Sequence, residues 1–182
     1  MTEKMMALFR QHLKVKHNRT LYEYQERIAY AIFDSLIQNL RITAGATEEQ
    51  IKKLKPLDIP FEISRQAGKT TVIVHAIEFV MIFFTEAFGR SLQIGIFAPQ
   101  IEQAKTDFDR LKLALRQSND DLLAYTSDEQ SRIAKEESNA RTLVLPNGTS
   151  CFIFPVTPTS KPESKTLDLI IFEESQDLPA IS

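Results

Sequence analysis

FEISRQAGKTT, residues Phe61 to Thr71, places a short apolar run before a basic Gly-Lys-Thr turn, and a long apolar stretch follows it. How these residues are read decides the fold. A phosphate cradle needs backbone N–H groups around an anion at a helix N-terminus, where the helix dipole favours negative charge. Gly68, Lys69 and Thr70 supply the second half of the Gly-x-x-x-x-Gly-Lys-Ser/Thr pattern that builds such a cradle, whereas Ile63 stands at its first glycine. Context favours the cradle, because the triplet lies between a predicted strand, Phe61 to Ser64, and a predicted helix, Lys69 to about Phe88. The competing reading makes Ser64 a helix cap and Lys69 a solvated lysine. A cation at the positive end of a helix, however, is unfavourable without an anion nearby.

A nucleotide site also needs an apolar strand that ends in carboxylates, one for Mg²⁺ and one to orient water. LDLIIFEESQDLP, Leu167 to Pro179, has that form. Leu167 to Phe172 reads as a strand buried on both faces, and it presents Glu173 and Glu174 at the sheet edge where ligands of open α/β folds sit. Taken alone, the two acids read better as a solvated pair at a strand end; the two half-motifs together on a strand–helix–strand frame favour a nucleotide site.

Further strands and helices extend the rhythm. Leu92 to Ala98 reads as a strand and Ile101 to Leu115 as a helix, so strands alternate with helices as in a parallel sheet with right-handed crossovers. Arg141 to Leu145 and Cys151 to Val156 flank Pro146-Asn147-Gly148-Thr149, and Asn-Gly between apolar runs predicts a hairpin. Residues 157–166 read as a loop. Upstream, Leu21, Tyr24, Ile28, Ile32, Leu36 and Leu40 recur at helical spacing, and Thr43 to Lys55 reads as a surface excursion with a short helix. Residues 1–20 form a basic amphipathic helix, read as packed on the domain edge in preference to a DNA-binding arm.

With 182 residues and 43% hydrophobic content, the chain is expected to form one domain, and its formal charge of −2 excludes a surface coated in positive charge. The lone Cys151 rules out a disulfide framework and a cysteine-rich zinc site within the chain. The N-terminus has no secretory pattern, so a cytoplasmic setting is expected, and no membrane partner is. Val72 to Phe84 carries His75 and Glu78 and reads as a core helix too short to span a bilayer. His75 reads as a satisfied core histidine. His12 and His17, five residues apart without surrounding Cys or carboxylate ligands, do not suggest a metal site. Arg110, Arg116, Arg132 and Arg141 read as solvated surface, as does the acidic segment from Asp120 to Glu137.

Ser64-Arg65-Gln66-Ala67-Gly68-Lys69-Thr70-Thr71 resembles the variant phosphate loop of phage terminase large subunits, the DNA-packaging ATPases. Three other segments are similar to elements of that family in the same order: LYEYQ (Leu21 to Gln25), IGIFAPQIEQA (Ile94 to Ala104) and the Walker B strand within LDLIIFEESQ. The resemblance covers about residues 20–178 and implies a three-layer αβα P-loop NTPase, residues 21–182, with a mainly parallel sheet that stops just after Walker B. It implies ATP and Mg²⁺ as cofactors. Ser64, Arg65, Gln66, Ala67, Gly68, Lys69, Thr70 and Thr71 would hold ATP and Gln25 its adenine edge, with Lys69 on the β- and γ-phosphates and Arg65 on the γ-phosphate. Thr70 and Glu173 would be on the metal side, and Glu174 would orient water. The implied partners are double-stranded DNA, a portal, a small terminase subunit and further copies of the chain, in the host cytoplasm if the protein is viral.

The family's Walker B aspartate is Glu173 here, one methylene longer, which puts turnover in doubt more than binding. The family also continues into a nuclease for which the chain, ending at Ser182, has no place, so an N-terminal portion is expected. Three functions follow: a motor that packages double-stranded DNA into a prohead, a helicase-like remodelling ATPase, or a nucleotide-binding assembly module without turnover.

Overall fold

A computed structural model describes residues 1–44, 47, 49–50, 68–98, 101–118, 136–137, 140–155 and 167–172. The chain divides into two compact units, Met1–Val80 and Met81–Ser182.

Among its described residues, the first unit is built on three long helices. In α1 (Thr2–His17), Met5, Met6, Phe9 and Leu13 fall on one stripe and are buried. Asn18 stops this helix in the left-handed conformation at φ 49°, which asparagine tolerates, and its N–H donates to the Leu13 carbonyl. Helix α2 (Glu23–Ala44) buries Ile28, Ala29, Ile32, Phe33, Leu36, Ile37 and Leu40, extending the predicted pattern by a turn. Helix α3 (Lys69–Phe79) follows the Gly-Lys-Thr turn. Phe9, Phe33 and Phe79, one from each helix, are fully buried and meet with ring centroids 5.2 to 5.4 Å apart. Burying such a ring stabilises the fold by about 1.5–3 kcal/mol. The phenylalanines thus hold α1 and α3 against α2.

The helix runs on through a π-helical turn (Val80–Phe84) and a short α4 (Thr85–Phe88) to Gly89. By length and composition, the 20 residues from Lys69 to Phe88 could cross a membrane, a longer run than the sequence pattern marked out. Val72, Val74, Ala76, Ile77 and Phe79 are nevertheless buried inside the protein, as in a core helix.

The second unit contains β1 (Gln93–Ala98), α5 (Ile101–Ser118), β2 (Glu136–Glu137), β3 (Ala140–Val144), β4 (Ser150–Pro155) and β5 (Leu169–Phe172). The sheet order is β2-β3-β4-β1-β5. Strand β1 pairs in parallel with β4 and β5, while β3 pairs antiparallel with β2 and β4. The expected mainly parallel sheet is therefore evenly mixed among the described residues, because the Asn-Gly hairpin sets β3 antiparallel to β4 and β2 pairs antiparallel with β3. In that hairpin, Gly148 takes φ +84°, its N–H donates to the Leu145 carbonyl, and the Thr149 N–H donates to Asn147 Oδ1.

On one face of α5, Phe108, Leu111, Ala114 and Leu115 are buried. Gly95, in the middle of β1, has no room for a side chain: a Cβ there would lie 2.7 Å from Leu167 Cδ1. Phe97 stacks on Phe154 at 4.8 Å and lies 5.1 Å from Phe172, its register partners on either side. These rings line up where the central strands end. Strand β5 differs from its sequence reading: Ile171 is buried, but Ile170 and Phe172 are about half exposed. It stands last in the strand order, and among the described residues it has a strand on one side only.

Candidate functional site

Gly68 precedes α3 with φ +72°, a conformation that glycine adopts without the penalty other residues meet. A Cβ at this position would also come within 3.0 Å of Gln25 Nε2. The left-handed backbone therefore disfavours a side chain at residue 68, and the Gln25 amide would have to give by a few tenths of an ångström to admit one. Gln25 is 7% exposed, and its Oε1 accepts the Tyr22 N–H at 3.0 Å. That bond is the return half of a capping box at the start of α2, and it turns the amide nitrogen towards Gly68. Beside it, Tyr22 and Tyr24 stack with planes 6° apart, and Tyr22 is exposed.

Lys69, Thr70 and Thr71 occupy the first turn of α3 and are half-buried. The turn contains no carboxylate, so lysine and the positive end of the helix dipole add together. Of the residues predicted to hold nucleotide, the structure brings Gln25 and Gly68 together at the head of the helix that Lys69, Thr70 and Thr71 begin. Ser64, Arg65, Gln66, Ala67, Glu173 and Glu174 lie outside the described residues, as does the predicted strand before the cradle.

Two turns further along α3 lies a group that sequence reasoning discounted. Glu78 is fully buried, and all three histidines of the chain meet it. His12 Nε2 and His17 Nε2 lie 3.0 and 2.8 Å from Oε1, and His75 Nδ1 lies 2.9 Å from Oε2. The side chains of His12, His17 and His75 are 5%, 1% and 9% exposed. The His17 and His75 rings approach to 4.3 Å between centroids. Burial pushes the Glu78 carboxyl upward, but the hydrogen bonds from the three imidazoles outweigh it and hold the group well below the usual carboxylate range. His17 Nδ1 is buried and has no hydrogen-bond partner.

The sequence did contain a signal. His75 and Glu78 are polar positions three apart on one face of an otherwise apolar helix, which calls for a buried partner. His12 and His17 are separated from Glu78 by 66 and 61 positions, so spacing rules could not connect them.

Comparison of the chain with protein-family models, curated proteins and solved structures finds no match.

Proposed function

We propose that the chain binds and hydrolyses ATP as the motor portion of a viral DNA-packaging terminase large subunit. The observation that carries this reading is the buried Gln25 amide set against a side-chain-less Gly68 at the head of α3. A glutamine fixed beside a glycine cradle offers an adenine edge both donor and acceptor capacity while the cradle takes the phosphates. The first turn of α3 adds the expected chemistry, a lysine with no acid in the same turn and a threonine hydroxyl next to it. A left-handed glycine at the head of a helix, followed by a lysine and a hydroxyl, fits a nucleotide phosphate with its Mg²⁺.

In this reading the backbone at Gly68 and the dipole of α3 bind the phosphates, Lys69 draws charge from the β- and γ-oxygens, and Thr70 stands on the metal side. Bound Mg²⁺ would supply further neutralisation of phosphate charge. Arg65 would reach the γ-phosphate, and Glu173 and Glu174 would serve the metal and the attacking water. The second reading, a binding module without turnover, is favoured by one residue, Glu173, in place of the resembled family's aspartate.

Binding of a fluorescent ATP analogue tests the site: Lys69→Ala is expected to weaken it at least about 100-fold, since the lysine supplies a charge-assisted contact to phosphate in a dry cradle. Unchanged affinity in that variant would remove the nucleotide reading. Phosphate release, measured with and without double-stranded DNA in the parent chain and in Glu173→Asp, separates motor from module. The motor gives DNA-stimulated turnover in at least one of the two, and the module gives none in either.

A further inference from the structure

We propose that His12, His17 and Glu78 bind one divalent transition-metal ion of the zinc class, with His75 positioning the carboxylate. This inference stands apart from the nucleotide reading.

Composition comes first. The chain has three histidines, and every one is drawn to a single buried carboxylate from two distant segments. Two imidazoles and one carboxylate are a three-ligand set that zinc-class ions accept, with a further position left for water or another donor. Among the described residues, the ion pairs of Glu78 are all to histidine, so the buried anion has no permanently charged partner. A divalent cation would supply one.

Geometry comes second. One donor atom from each of His12, His17 and Glu78 lies within 4.8 Å of the others. Neighbouring donors on a tetrahedral zinc ion stand about 3.3 Å apart, given metal–ligand distances of about 2.0–2.1 Å. The His12 and His17 distances to Oε1, 3.0 and 2.8 Å, open by a few tenths of an ångström in such a site, and the wider separation among the three donors, up to 4.8 Å, closes towards the same value as the metal draws the two rings together. His75 Nδ1 meanwhile holds Oε2, the other oxygen of the carboxylate. A hydrogen-bonded carboxylate ligand of this kind is the usual outer support of a metal site.

The test uses the full chain, free of any polyhistidine tag, stripped with a chelator and titrated without nucleotide. Co²⁺ should bind at one equivalent per chain with the intense visible bands of a four-coordinate nitrogen–oxygen site, and Zn²⁺ should bleach them. His17→Ala should weaken Zn²⁺ binding at least about 100-fold, and His75→Phe, which leaves the three ligands in place, about 10- to 100-fold. Should His17→Ala fail to fold, His17→Gln carries the same expectation. Absence of saturable Co²⁺ and Zn²⁺ binding by a parent chain with intact helical circular dichroism would overturn the proposal. So would unchanged Zn²⁺ affinity in a folded His17 variant.

Discussion

Lys69 and Glu78 stand on the same helix, about 14 Å apart along its axis at ~1.5 Å per residue, and they carry opposite electrostatic problems. At the head of α3, a lysine adds its charge to the positive end of the dipole, with no acid in the turn. Near the other end of α3, a carboxylate without exposed surface is held, among the described residues, by imidazoles alone. The first imbalance is half-open to water, which screens it until an anion arrives. The second is sealed and must be settled by the fold itself. Substitutions at the head should therefore appear in nucleotide binding, and substitutions around Glu78 in the stability of the metal-free chain.

The largest effect expected is at the sealed end. Glu78→Ala removes the common acceptor of three buried imidazoles and leaves a void, and about 3–5 kcal/mol of unfolding free energy should be lost in the metal-free chain. Lys69→Ala should change stability by no more than about 0.5 kcal/mol in the same urea titration. Equal losses in the two variants would break the contrast between the ends of α3.

Acid sharpens it. The folded-state pKa of Glu78 is depressed, so its contribution is fully present above the unfolded carboxylate pKa of about 4.3 and is lost as pH falls towards the folded value. Metal-free protein should lose stability progressively below about pH 4.3, and Glu78→Gln should remove that part of the slope. A slope unchanged by Glu78→Gln would assign acid sensitivity to other carboxylates.

At the head of the helix, Gly68→Ala should cost about 1–3 kcal/mol for the left-handed backbone. Gly89 is the natural control, because it has a similar φ of +66° but nothing within 4 Å of an added Cβ. Any excess cost at position 68 measures the approach of Gln25, and Gln25→Ala in the Gly68→Ala background should relieve it. Identical costs at both glycines would mean that the Gln25 amide moves aside freely.

The same helix shows what a sequence discloses. Local signals were legible: the stripe of Met5, Phe9 and Leu13, the Asn147-Gly148 hairpin and the strand from Gln93 to Ala98 all follow from neighbour-range periodicity or turn chemistry. The exposure of β5 was not, because an apolar run reads alike in a central or an edge strand, and strand order is set by pairing across the chain. Gln25 was marked by resemblance, but its capping bond and its approach to Gly68 are properties of packing. The imidazole cluster was missed because positions 12 and 17 point about 140° apart on an ideal helix, at ~100° per residue. His17, however, is the final residue of α1, and both rings reach Glu78 from that helix end. Convergence on a distant carboxylate leaves no trace in local spacing.

A smaller effect than at Glu78 or Gly68 belongs to Arg10, which shares α1 with His12 but lies on the solvent side. Its guanidinium grips Glu26 with two bonds, at 2.7 and 2.9 Å, and joins α1 to α2 just as His12 joins α1 to α3. The hydrogen bond and the charge of its partner raise the pKa of Arg10 and lower that of Glu26, yet the two side chains are 47% and 33% exposed. Water and salt screen such a pair, so Arg10→Ala should cost no more than about 1 kcal/mol and less still in 1 M salt. His12→Ala, measured beside it, should cost more and respond little to salt, because its bond to Glu78 is closed to solvent. If salt weakened both variants alike, the carboxylate on α3 would be within reach of water, and the distinction between a screened helix head and a sealed carboxylate near the other end would fail.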